Sequence, residues 1–138
     1  LMGLPRAPTI KAAVSQVVTC LDVHMSDGGC GWLASVVKIR REHEDDPAKA
    51  IEAAFRGHPS MKAVTVVDED IDITDPTSVE WAMMTRWQPD RDTIILKDQR
   101  GSSLDPSRYS DGRTSKVGFD ATIPWGADRD AFSTVQRP

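Results

Sequence analysis

Two periodicities alternate along this chain. Val14 to Met25 (VSQVVTCLDVHM) is dense in β-branched residues and predicts a strand. Trp32 to Ile39 (WLASVVKI) predicts a second strand. Between them, Ser26-Asp27-Gly28-Gly29-Cys30-Gly31 marks a tight turn, or a place where backbone must approach something closely. The two strands then read as a hairpin. Residues 1–13, with Pro5 and Pro8, read as a linker that docks into the first element.

The period then changes. Asp46 is placed to cap a helix with Pro47 at its first position. Ala50, Ile51, Ala54 and Phe55 share one face, and Gly57-His58-Pro59 ends the helix. Ala63 to Val67 (AVTVV) is a continuous apolar run, as in a strand covered on both faces. Thr74-Asp75-Pro76 predicts another cap and a helix from about Pro76 to Arg86. Thr77 and Glu80 offer a capping box if that helix starts slightly later. Thr93 to Leu96 predicts a strand, residues 98–114 a loop, and Lys116 to Phe119 a short last strand before an aperiodic tail. Strands joined by helical crossovers imply an α/β fold. The expectation is a single three-layer domain over residues 1–138, a mixed sheet with helices on its faces.

Length and charge narrow the function. A chain of 138 residues suits one domain with its own core. It contains no run of about 18 apolar residues, so no membrane-spanning helix is predicted. No signal-peptide pattern is visible, and a cytoplasmic protein is expected. Leu1 stands where a start Met would, so an upstream part of the protein is expected. Seventeen Lys and Arg are interspersed among 21 Asp and Glu without a basic stripe, which argues against nucleic acid as a partner. Cys20 and Cys30 form no CxxC pair, and the histidines complete no zinc pattern. Free thiols in a reducing compartment follow.

Several groups invite chemistry. Asp68, Glu69, Asp70 and Asp72 follow a buried strand, where α/β sheets collect ligands, and carboxylates can hold a hard cation. Capping and pairing with Arg and Lys is the simpler reading, and the spacing fails the EF-hand pattern. The Gly28–Gly31 turn could offer N–H groups to an anion, but a hairpin turn is simpler. No His is fixed beside Cys30 to activate it. Arg86 could hold a carboxylate or phosphate, or equally tie down Asp90 or the acidic loop. Lys116 could reach a phosphate or be solvated. Trp81, Met84 and Gln88 line one side of their helix, and Glu80, Met83 and Trp87 another. Two such faces suggest a core contact and a docking contact. No nucleophile, base and orienter come together, so no catalytic residue is assigned in this chain.

Four motifs in order carry a resemblance. They are Val67-Asp68-Glu69-Asp70-Ile71-Asp72, Trp81-Ala82-Met83-Met84-Thr85-Arg86, Leu104-Asp105-Pro106-Ser107 and Ser115-Lys116-Val117-Gly118-Phe119-Asp120-Ala121-Thr122. Gly3-Leu4-Pro5 and Gly28-Gly29-Cys30-Gly31 also match in order. Together they resemble the C-terminal part of UbiD-type decarboxylases. The resemblance implies a C-terminal lid and oligomerisation domain. Family members perform reversible, non-oxidative decarboxylation of aromatic, heteroaromatic or α,β-unsaturated acids. They use prenylated FMN with a divalent metal, typically manganese, and often potassium. The cofactor, the metal ligands and a Glu–Arg–Glu catalytic set lie in the preceding domains. The implied partners are therefore those upstream domains, further copies of the enzyme and an aromatic acid. By position, Glu80, Met83, Phe119 and Ala121 would line the substrate pocket. Some members carry a cofactor-reaching lysine where Thr77-Ser78 stand here, and Lys116 is the possible replacement. The alternatives are a binding module without chemistry, or a small separate subunit of a larger catalytic chain.

Overall fold

The computed structural model describes residues 6–25, 33–103 and 105–132. The Gly28–Gly31 turn, Cys30, Trp32, Leu104 and the Gly3-Leu4-Pro5 motif lie outside the described residues. The elements are α1 (Arg6–Ser15), β1 (Thr19–Met25), β2 (Ala34–Arg40), α2 (Asp46–Gly57), β3 (Ala63–Val67), α3 (Pro76–Arg86), β4 (Thr93–Arg100) and β5 (Arg113–Ala121). A 3₁₀ turn follows at Arg129–Phe132. Among the described residues the strands form one sheet of order β1-β2-β3-β5-β4. Strands β2, β3 and β5 are parallel, while β1 and β4 close the two edges antiparallel.

Strand alternation divides the core. Val37, Ile39, Val64 and Val66 pack with Ile10 and Val14 of α1 and Ala50, Ile51 and Ala54 of α2. Val36, Val67 and Ala121 point the other way, and pack with Ile71, Ile73 and Ala82 beneath α3. The molecule is thus the expected three-layer α/β domain. Gly118 of β5 lets α2 come close to the sheet. A Cβ there would lie 2.4 Å from Ile51 Cγ2.

Four local expectations need correction. The linker is instead helix α1, which takes Val14 and Ser15 from the start of the first predicted strand, and β1 begins only at Thr19. Pro8 sits in its first turn, where a missing N–H costs nothing, and Ile10, Val14 and Val18 point into the core at a spacing of four. The β-branched density around Val14 concealed that period. Asp46 does not cap α2: it is the first helical residue, and its carboxylate accepts from Glu42 N and His43 N (2.9 and 3.0 Å). The Thr77/Glu80 box does not form. Asp75 caps α3 by accepting from Thr77 N at 3.1 Å and Ser78 Oγ at 2.9 Å. Finally, the predicted 98–114 loop contains strand at both ends, because β4 runs to Arg100 and β5 starts at Arg113. Polar residues Lys97 to Arg100 hid an edge strand. Gly101 donates to Gly112 O at 2.8 Å at the hairpin's base.

Candidate functional site

The carboxyl ends of β2, β3 and β5 meet the start of α3's loop, the position where open α/β sheets carry their sites. A buried clasp holds this edge together. Arg86, at the end of α3, has a fully buried side chain. Its Nη1 donates to Asp68 Oδ2 at 3.0 Å and Asp70 Oδ1 at 2.9 Å, and its Nη2 to Asp70 Oδ2 at 2.9 Å. Nη2 also donates to the Phe132 carbonyl, and the guanidinium lies 5.2 Å from the Trp81 ring centroid. Only Nε is left without a hydrogen-bond partner among the described residues. A planar fork is the one cation shape that can serve two carboxylates and a carbonyl at once. The choice left open by the sequence is thereby settled: Arg86 ties down the acidic loop.

The acidic cluster disperses. Asp68 is buried and also accepts from Ile123 N at 2.7 Å. Burial pushes its carboxyl upward, opposed by Ile123 N–H and Arg86. Burial acts upward on Asp70 too, but the hydrogen bonds and charge of Arg86 outweigh it and hold Asp70 below the ordinary range. Glu69 pairs with Arg40 at 3.2 Å, and Asp72 accepts from Thr74 N and Oγ1.

A second cation fixes the chain after β5. Arg41 Nη1 donates to Thr122 Oγ1 at 3.1 Å and Ile123 O at 2.9 Å, and Nη2 to Glu44 O at 2.6 Å. Its guanidinium lies 5.4 Å from the Trp125 centroid. Beside it, burial pushes Asp120 upward, with Thr122 N–H and O–H opposing. These anchors at Ile123, Trp125 and Phe132 were missed in the sequence, where only short apolar steps in an aperiodic tail hint at them.

The predicted pocket residues do not share one environment. Glu80 is exposed on α3, in line with Thr77 and Met84, the last of which is 66% exposed. Met83 is half-buried against the core with Trp81 and Trp87. The expected pairing of faces is therefore shifted, since Met84 rather than Met83 shares Glu80's open side. Phe119 is half-buried, its ring edge-on to Trp87 at 5.5 Å. Ala121 is fully buried beneath α3. Lys116 belongs to the opposite face of the sheet. It donates to the Pro59 carbonyl, with Nζ 5.5 Å from the Phe55 centroid. Glu80, Met83, Phe119 and Ala121 thus belong to the α3 side, and the structure does not bring Lys116 to them.

Comparison with known proteins places this architecture. The model for the 3-octaprenyl-4-hydroxybenzoate carboxy-lyase C-terminal domain matches residues 1–121, so the chain belongs to the UbiD C-terminal domain family. Anhydromevalonate phosphate decarboxylase of Methanothermobacter thermautotrophicus is 47% identical over 138 residues, covering 99% of this chain and 32% of that protein. The UbiD-class enzyme HmfF from Pelotomaculum thermopropionicum, solved with FMN, superposes with a TM-score of 0.91 at 41% identity, over 99% of this chain and 31% of that one. An evolved dimeric form of HmfF, solved with prFMN, gives 0.76 at 33% identity, over 99% and 30%. The chain spans about a third of the length of the curated relatives it matches.

The residues around α3 and the end of β5 do not fit a site for such a flavin, nor for a metal ion. Arg86 and Arg41 direct their donors to carboxylates and carbonyls of this same chain, and Lys116 donates to the Pro59 carbonyl. No three His, Cys, Asp or Glu converge as metal ligands among the described residues.

Proposed function

We propose that this chain is the C-terminal domain of a prenylated-FMN-dependent, non-oxidative decarboxylase, and that it covers an active site built by upstream domains. The carrying observation is the open side of α3. Thr77, Glu80 and Met84 face outward from a helix fixed at both ends, by the Asp75 cap and the Arg86 clasp. A helix fixed in this way can present side chains to a site it does not itself contain, and exclude water as it closes. Glu80 borders the substrate from that open side, with half-buried Met83 beside it and Phe119 and buried Ala121 forming the wall behind. The domain alone is inactive. Manganese and potassium belong with the flavin in the upstream part, further copies of the enzyme complete the assembly, and the compartment is the cytoplasm.

The substrate is a carboxylic acid. The 47% identical relative supports anhydromevalonate phosphate, an unsaturated acid carrying a phosphate. The second reading is a hydroxylated aromatic or heteroaromatic acid. It is favoured by polar Glu80 on the open side, where an apolar liner would suit an unsubstituted ring.

The test is CO₂ release by the full-length enzyme reconstituted with prenylated FMN, over a panel containing anhydromevalonate phosphate and aromatic acids. Turnover of one class, lost in the separated domain and regained on mixing with the upstream part, is the expected result. Activity of this domain alone, or none on any acid, overturns the proposal. Glu80→Ala and Met83→Ala should change the ratio of kcat/KM across the panel, and an unchanged ratio removes these residues from the pocket.

A further inference from the structure

The face of the sheet opposite α3 carries an open groove with a volume of about 380 Å³. It lies between the end of α2 and the β4–β5 hairpin. Phe55, Pro59 and Leu96 give it apolar walls. Lys116 lies at its floor and is only 4% exposed, with its ammonium against Phe55 and Pro59 O. That carbonyl takes one of the three N–H donors of the ammonium. Arg56 and Arg100 are exposed at the rim, and neither guanidinium makes a hydrogen bond or ion pair with any described residue. Three cations therefore line one concavity with a single carboxylate, that of Glu52.

We propose that this groove binds a small organic phosphate. Its phosphate would be held by Arg56, Arg100 and the remaining donors of Lys116, and its apolar body would rest on Phe55 and Leu96. Guanidinium forks suit phosphate oxygens, and a half-desolvated ammonium gains most from an arriving dianion. Burial also depresses the Lys116 pKa, as expected for an ammonium short of counter-charge. The site is separate from the α3 side and does not depend on the activity proposed above.

The probe is phenyl phosphate, titrated into the full-length protein while the Leu96 methyl resonances are followed. The expected result is a saturable shift that weakens at least about tenfold in the Arg56→Gln/Arg100→Gln variant, the loss of two charge-assisted contacts. Glu52→Gln should tighten binding. All three positions are exposed, so these variants should leave folding intact. Absence of a saturable shift, unchanged affinity in the double variant, or equal binding of benzyl alcohol would each overturn the proposal.

Discussion

Arg86 and Asp70 meet through two parallel hydrogen bonds of 2.9 Å, across a gap of sixteen residues in sequence. The pair joins the last turn of α3 to the loop that leaves β3, so the helix and the sheet edge are positioned together. Asp68 shares the same guanidinium from a fully buried position.

Arg86→Met should destabilise the protein by about 3–5 kcal/mol, because Asp68 stays buried without its cation. Arg86→Lys should fall between, since an ammonium cannot serve both carboxylates in the same plane. Asp70→Asn should cost under about 1 kcal/mol, as Asp70 is partly solvated. Thermal unfolding of the full-length protein reads all three. A midpoint shift below about 2 °C for Arg86→Met would contradict the clasp.

Lys116 gives a pH signature of known sign. Burial depresses its native pKa below the ordinary lysine value of 10.5. As pH rises between the two values, the native state has released a proton that the unfolded state still holds. Stability therefore rises with pH in that window. Lys116→Met removes this titration, so the gain in urea midpoint from pH 7 upward should be smaller in the variant than in the parent. Equal slopes would show that the ammonium is not desolvated.

Gly118→Ala should cost about 1–3 kcal/mol by forcing a Cβ against Ile51. Ile51→Ala alone should cost about 2–5 kcal/mol by opening a cavity. The double variant should be less destabilised than the sum of the two, because the cavity receives the new methyl. Additive losses in a double-mutant cycle would mean that the two positions do not touch.

Arg41→Ala should release the segment after β5. Amide exchange at Thr122 and Ile123 should accelerate about tenfold or more, given what hydrogen bonds to a charged group contribute. Exchange in the buried strand at Val66 should be unchanged. Acceleration at both places would indicate global destabilisation instead.

The layers were legible where period and composition agreed. Ala63–Val67 is β3 with the same limits, and Pro76–Arg86 is α3 with its Asp75 cap. Legibility failed where two signals overlapped. Val14 belongs to a β-branched run and to a helical stripe, and tertiary packing beside Ile10 decided for the helix. The resemblance led to the expectation that Glu80 and Met83 are neighbours on one side of α3. It could not show that one is exposed and the other half-buried, because that depends on how α3 rolls over Ile71 and Ile73. Arg86's carboxylate partners lie sixteen and eighteen residues upstream of it, beyond any local rule.

Both outer strands of the sheet are kinked. β1 shifts register between Cys20 and Asp22, and β4 between Leu96 and Gln99, where Asp98 adopts a φ of 56°. A kinked border is a poor template for a further strand, and it guards against open-ended ribbon growth even though Ile95 is exposed there. A partner meeting such a border would be held by side-chain shape and not by backbone pairing.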